Sequence, residues 1–169
     1  MMYVFVEGFY DERFFSKVYH KELGEAKFVQ YSGMTTSKVN RFIKSICCMP
    51  NGNYLFFGDA DGQTIEGKKA ILTGRYNQLD INKLFIVQYE IESWYYAGAS
   101  QTLCQKLNLK YYKYYTDNLT KEGFNHKLPK IAERKTIMGE ILNQYDLNLA
   151  VGRNKSLSIF EENIKKESA

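Results

Sequence analysis

The sequence has no uninterrupted apolar run of the roughly 18 to 20 residues that a bilayer span requires, so no membrane segment is expected. Its N-terminus carries no basic stretch leading into an apolar one, the form of a secretory leader, and a cytoplasmic location is the expectation. Cysteine is sparse. Cys47 and Cys48 are adjacent and Cys104 stands alone, which gives neither a disulfide framework nor a zinc-ligand spacing; reduced, semi-buried thiols are expected, with the pair at a helix end. A phosphate-binding loop is also missing, because Gly67-Lys68-Lys69 lacks the glycine-rich run that precedes the lysine of a Walker A motif. His20 and His126 are isolated and are given no catalytic role. No repeat, low-complexity tract or Pro/Gly/Ser linker divides the 169 residues, so a single domain is expected.

What the chain does have is alternation. Tyr3 to Val6, Ala26 to Tyr31, Tyr54 to Gly58 and Lys83 to Tyr89 are apolar runs of strand length. Between them, helices are expected from Asp11 as cap to about Glu22, from a cap at Thr35, Thr36 or Ser37 along the stripe Val39, Phe42, Ile43 and Ile46, and from about Gln63 to Tyr76. Pro50-Asn51-Gly52-Asn53 is a turn that delivers the third strand. Strand and helix in alternation call for crossover connections, hence an α/β fold: a mainly parallel four-stranded sheet flanked by helices. Beyond Trp94, expected to be a core anchor, the pattern changes to helices and loops, with Pro129 opening a helix to about Tyr145 and Ser156 capping a last one through Lys165. The core is expected over residues 2–95 and a helical extension over 96–169.

Two of the strands end in acids. Val6 runs into Glu7-Gly8, with Asp11 four residues on, and Phe57 runs into Gly58-Asp59-Ala60-Asp61-Gly62. Carboxylates at the carboxyl ends of parallel strands sit where open α/β sheets bind ligands. Hard oxygen donors suit Mg²⁺ or Mn²⁺, and Asp59 and Asp61, two apart, would share a face if the extended backbone continued through Ala60. Taken singly, each acid reads equally as an ordinary solvated strand end or helix cap; crowded together, like charges must raise their pKa values or cost the fold stability unless a cation compensates them. After the fourth strand, Glu90 and Glu92 alternate with apolar residues. Shared strand geometry would let them complete a second ion site or orient a water; the alternative is an exposed strand end with Ser93 capping a helix.

These residues resemble the Toprim domain, the metal-binding module of topoisomerases, primases, OLD-family nucleases and small ribosomal-RNA maturases. Val4-Phe5-Val6-Glu7-Gly8-Phe9-Tyr10-Asp11 is similar to its first motif, including the later aspartate of the nuclease branch, and Phe56-Phe57-Gly58-Asp59-Ala60-Asp61 to its second. Glu90-Ile91-Glu92-Ser93-Trp94, Lys135 and Asn154-Lys155-Ser156-Leu157 are similar to segments of small stand-alone Toprim-like proteins linked to OLD-type and phage-defence systems. The resemblance implies a metal-dependent nuclease acting on DNA or RNA, in defence or nucleic-acid processing. In that reading Asp59 and Asp61 hold one Mg²⁺ or Mn²⁺, Glu7 and Asp11 a second, Glu92 acts through water, and Lys135, or else Lys68, neutralises the scissile phosphate. An ATPase half would have to be a separate subunit. The rival class is a non-catalytic module of the same fold that binds nucleic acid or a partner ATPase.

Basic residues dominate Lys106 to Lys135, an asymmetry that favours a polyanionic partner or else is a solvated face. Within that stretch Tyr111, Tyr112, Tyr114 and Tyr115 interleave with Lys110 and Lys113. Such a segment could stack bases while its lysines meet phosphates; the competing account is an aromatic packing segment or interface.

Overall fold

The computed structural model describes residues 1–130 and 133–168, in two compact units, Met1–Val87 and Gln88–Ala169. The first unit is α/β. Strands β1 (Met2–Val6), β2 (Lys27–Gln30), β3 (Asn53–Asp59) and β4 (Leu84–Val87) form an all-parallel sheet in the order β2-β1-β3-β4. Helices α1 (Phe9–Val18), α3 (Thr36–Cys47) and α4 (Ile65–Arg75) make the crossovers, with the short α2 (His20–Leu23) after α1.

Central strands buried on both faces need apolar residues at every position rather than alternate ones, and β1 and β3 comply. Val4, Phe5 and Val6 are buried, as are all of Tyr54 to Asp59. One face carries Tyr3, Phe5, Tyr54 and Phe56 in a core shared with Val39, Ile43 and Ile46 of α3 and Leu72 of α4. On the other face the Phe57 ring lies 4.0 Å from Phe15 of α1 and 5.6 Å from Phe85 of β4. Thr35, one of the three caps the sequence offers, caps α3 through Lys38 N–H (3.3 Å). Gly58 lies at a close approach: a Cβ there would stand 2.7 Å from Leu72 Cδ1, so that methyl would have to shift.

Local chemistry shifts several expected boundaries. Asp11 does not cap α1. Gly8 holds the cap position, and Asp11, three residues inside, reaches back so that its Oδ2 accepts from Gly8 N–H at 3.2 Å. The expected run to Glu22 breaks at Tyr19. Cys47 ends α3, and both it and Cys48 are exposed rather than semi-buried; Cys104 is buried.

The second unit is helical: α5 (Glu92–Ala97), α6 (Gln101–Lys106), α7 (Lys121–Asn125), α8 (Arg134–Asn143), α9 (Leu147–Arg153) and α10 (Lys155–Ser168). All six residues of α5 are buried, so it forms the unit's centre. Trp94 stacks on Phe160 (5.8 Å) and donates from Nε1 to Ser156 Oγ (2.8 Å), the anchor role expected of it. Gly98 follows because Tyr145 leaves no room: a Cβ would lie 2.2 Å from that ring, whose hydroxyl donates to Trp94 O (2.7 Å). The helix expected from Pro129 starts at Arg134, and residues 131 and 132 of that expected span lie outside the described residues.

Ser156 does not cap α10. Asn154 takes the cap, its Oδ1 accepting from Leu157 N–H (3.0 Å) and Ser156 Oγ (2.9 Å), while Ser156 serves Trp94 and Gln88 N–H (3.2 Å). Among the described residues no helix is long and apolar enough to cross a membrane.

Burial pushes the hydroxyls of Tyr31, Tyr54, Tyr76, Tyr96 and Tyr145 above the ordinary tyrosine range. A raised folded-state pKa on an acid favours its neutral form. The stability it contributes is therefore complete below about pH 10, where unfolded tyrosine is also neutral, and is lost as the unfolded chain ionises above that. Each tyrosine held neutral should subtract about 1.4 kcal/mol per pH unit beyond pH 10. Urea midpoints should be flat from about pH 8 to 9 and fall steeply by about pH 11. An unchanged midpoint across that range would contradict the burial of these hydroxyls.

Candidate functional site

Parallel pairing brings the two acidic motifs to one edge. Phe5 pairs with Phe56, so continuing each strand by two residues sets Glu7 level with Gly58 and beside Asp59. The strand order adds a second reason to look here. From β1 the chain crosses to β2 on one side, whereas β3 and β4 lie on the other, so the carboxyl ends of β1 and β3 flank the switch point of the sheet, where α/β folds bind ligands.

Glu7 is half-buried and its Oε1 accepts from two donors, Asp59 N–H (3.2 Å) and the Tyr31 hydroxyl (3.2 Å). Tyr31 is 4 % exposed, and its oxygen also lies 2.8 Å from the Phe57 carbonyl. Burial, then the Glu7 charge, then a hydrogen bond to the same carboxylate raise the Tyr31 pKa far beyond any working pH. Its hydroxyl therefore always carries a proton, which it shares between two acceptors. The sequence reads Tyr31 as the last residue of a strand and marks it with no functional role. The available signal was a tyrosine where β2 stops, since a buried tyrosine needs a partner for its hydroxyl.

The four candidate ligands do not gather into one cage. Strand alternation puts Glu7 on the face of Phe5 and Asp59 on that of Phe57, so their carboxylates approach the edge from opposite faces of the sheet. Asp59 is 9 % exposed. The extended backbone needed to align Asp61 with Asp59 stops at Asp59. Asp61 adopts φ 52°, a left-handed turn shared with Gly62, and its Oδ2 pairs with Lys68 Nζ of α4 at 2.5 Å. Asp11, 6 % exposed, is folded onto Gly8. Among the described residues, no three His, Cys, Asp or Glu side chains come together as a metal cage. The donor chemistry nevertheless fits Mg²⁺ or Mn²⁺, because such an ion usually takes only one or two carboxylates and keeps waters or phosphate oxygens.

The remaining candidates belong to the second unit. Tyr89, at φ 63°, turns the chain just after β4, so Glu90 and Glu92 never share a strand face. Glu90 accepts from Lys121 N–H, and Glu92, 4 % exposed at the start of α5, is ion-paired with Arg134. Neither is placed to act as a pair. Lys135, in the first turn of α8, is exposed, as are Lys110, Lys113, Tyr112 and Tyr114.

Compared with protein-family models, curated proteins and solved structures, the chain matches none.

Replacing Tyr31 by phenylalanine removes one of the two donors on Glu7 while keeping the ring packed 4.4 Å from Phe56. The expected cost is about 1 kcal/mol of stability, the net worth of one buried hydrogen bond. Urea unfolding of the variant reads it directly, and a loss indistinguishable from zero would mean that the hydroxyl does not hold Glu7.

Proposed function

We propose that the Met1–Val87 unit is a divalent-cation-dependent phosphodiesterase acting on DNA or RNA. The observation that carries this reading is the Glu7 carboxylate accepting from the Asp59 amide at the switch point of the sheet, which draws the ends of both acidic motifs into one place. Glu7 and Asp59 end adjacent strands, and each would offer the ion one carboxylate, from its own face of the sheet, with water or phosphate oxygens supplying the rest. When bound, such an ion polarises a phosphoryl oxygen and lowers the pKa of a coordinated water.

The chain's own groups divide the remaining work. Tyr31 and the Asp59 amide fix the orientation of Glu7. The Asp11 carboxylate ties the start of α1 to Gly8 and so steadies the loop that follows Glu7. Lys68 balances Asp61 and supplies a positive charge beside the edge, a natural partner for a phosphate oxygen. Its pair with half-exposed Asp61 is worth only about 0 to 1 kcal/mol, so exchanging that carboxylate for a phosphate costs little.

Labelled single- and double-stranded DNA and RNA, incubated with Mg²⁺, Mn²⁺ or EDTA, test this. Metal-dependent cleavage is expected, falling by roughly 100-fold or more in Asp59→Asn and Glu7→Gln, in line with the loss of a principal electrostatic group. Circular dichroism should show both variants folded. Cleavage that survives in either would remove the assignment. Metal binding by calorimetry without cleavage would instead favour a non-catalytic module of the same fold that binds nucleic acid or a partner ATPase.

A further inference from the structure

The segment between α6 and α7 has no regular secondary structure over 110–116, yet its backbone is held from inside the second unit. Arg153, at the end of α9 and 5 % exposed, is the holder. Its guanidinium donates to the carbonyls of Ala97 and Ala99 (3.1 Å each), to that of Tyr114 (3.4 Å), and to that of Tyr112. The Arg153 carbonyl in turn accepts from Thr116 N–H (2.9 Å), and the Tyr96 hydroxyl donates to the Lys110 carbonyl. The carbonyls of Lys110, Tyr112 and Tyr114 are thus committed inward, which fixes the course of the backbone through the segment.

The four tyrosines therefore separate by role. Tyr111 lies under the Arg153 guanidinium, 5.2 Å from ring to cation, and Tyr112 sits edge-on to Tyr96 with Lys127 Nζ 4.4 Å from its ring centre. Tyr114 and Tyr115, by contrast, are 72 % and 73 % exposed. An aromatic packing segment would bury them, since a fully buried large apolar side chain gains about 1.5 to 3 kcal/mol. Between Gln101 and Thr116 there are three lysines and no acid, and Lys110 and Lys113 are exposed beside the rings. A cavity of about 70 Å³ adjoins the strip, lined by Tyr96, Tyr112, Tyr115, Thr116, Asn118 and Leu119.

We infer that this strip is a docking surface for single-stranded nucleic acid, with bases stacking on Tyr114 and Tyr115 and phosphates meeting Lys110 and Lys113. Lysine before the aromatic run and at its one break complements a polyanion, and the exposed rings select one whose bases offer open faces. A duplex hides those faces in its own stack; a single strand does not. The inference deepens the phosphodiesterase reading by naming its substrate class, while the binding itself needs no cleavage.

Fluorescence anisotropy of the full chain with labelled oligo-dT, oligo-U and a duplex, in EDTA, tests it. Single strands should bind about 10-fold or more tighter than duplex. Tyr114→Ala with Tyr115→Ala should weaken single-strand binding by roughly 10- to 100-fold, since each stacked base is worth about 1 to 3 kcal/mol. Lys110→Gln with Lys113→Gln should reduce the slope of log affinity against log salt by about 1.4, or 0.7 per phosphate contact. Both exchanges lie on exposed side chains, so folding should be kept. Equal binding of duplex, an unaffected tyrosine variant, or equal affinity for an acidic peptide or anionic vesicles would overturn the inference. Asp59→Asn should bind as the parent does; a parent chain that binds single strands but cuts none would sink the enzyme reading alone, and one that cuts without this binding preference would sink only this inference.

Discussion

Parallel pairing of β1 with both β2 and β3 is the constraint on which the first unit depends. Parallel neighbours cannot be joined by hairpins, so each return is made by a crossover and every strand points the same way. All carboxyl ends then share one edge, and because the chain leaves β1 for β2 on one side and returns to β3 on the other, the switch point falls between β1 and β3. The acids could be anywhere in sequence and still meet there, provided that they end those two strands. The same pairing requires apolar residues on both faces, which is why Val4, Phe5, Val6 and Leu55 to Phe57 tolerate no polar interruption until the edge is reached.

At that edge the chain must combine a water-excluding core with groups that need water or a counter-charge. It does so by giving acceptors donors from the protein. Tyr31 serves Glu7 from a site where its own ionisation is forbidden, and the Asp59 amide serves it from the backbone. The second unit applies the same rule at its centre, where Asn154 and Ser156 connect Thr116, Ser93, Trp94 and Gln88 through hydrogen bonds of 2.8 to 3.3 Å. A buried polar group left out of such a network would cost about 1 to 3 kcal/mol, so the network specifies one arrangement of α5 against α10.

Features governed by one stretch of chain were legible in the sequence. The runs Tyr3 to Val6 and Tyr54 to Phe57, the α3 stripe at Val39, Ile43 and Ile46, and the Thr35 cap depend on period and local chemistry, and the structure has them in place. What escaped depends on partners far away in sequence. Asp61 leaves the strand because a left-handed turn suits the Asp-Gly pair and Lys68 waits seven residues on. Glu90 and Glu92 fit strand alternation until Tyr89 turns the backbone, and no local pattern marks that turn. Asp11 reads as a ligand by its distance from Glu7, yet the same distance serves a helix start. Arg153 gave no signal at all: a lone arginine at a helix end is ordinarily a solvated charge, and only the fold reveals the carbonyls gathered around it.

That gathering has a temporal consequence. Arg153 lies some forty residues after the carbonyls of Tyr112 and Tyr114 that it holds, and further still after those of Ala97 and Ala99. Contacts of such separation close late, because the loop entropy must be met before the bonds return anything. On a ribosome the tyrosine strip emerges before its anchor exists, and its carbonyls have only water to bond. The surface is thus completed by the C-terminal part of its own unit, and a nascent chain stopped short of α9 would display the tyrosines without the backbone geometry that arrays them.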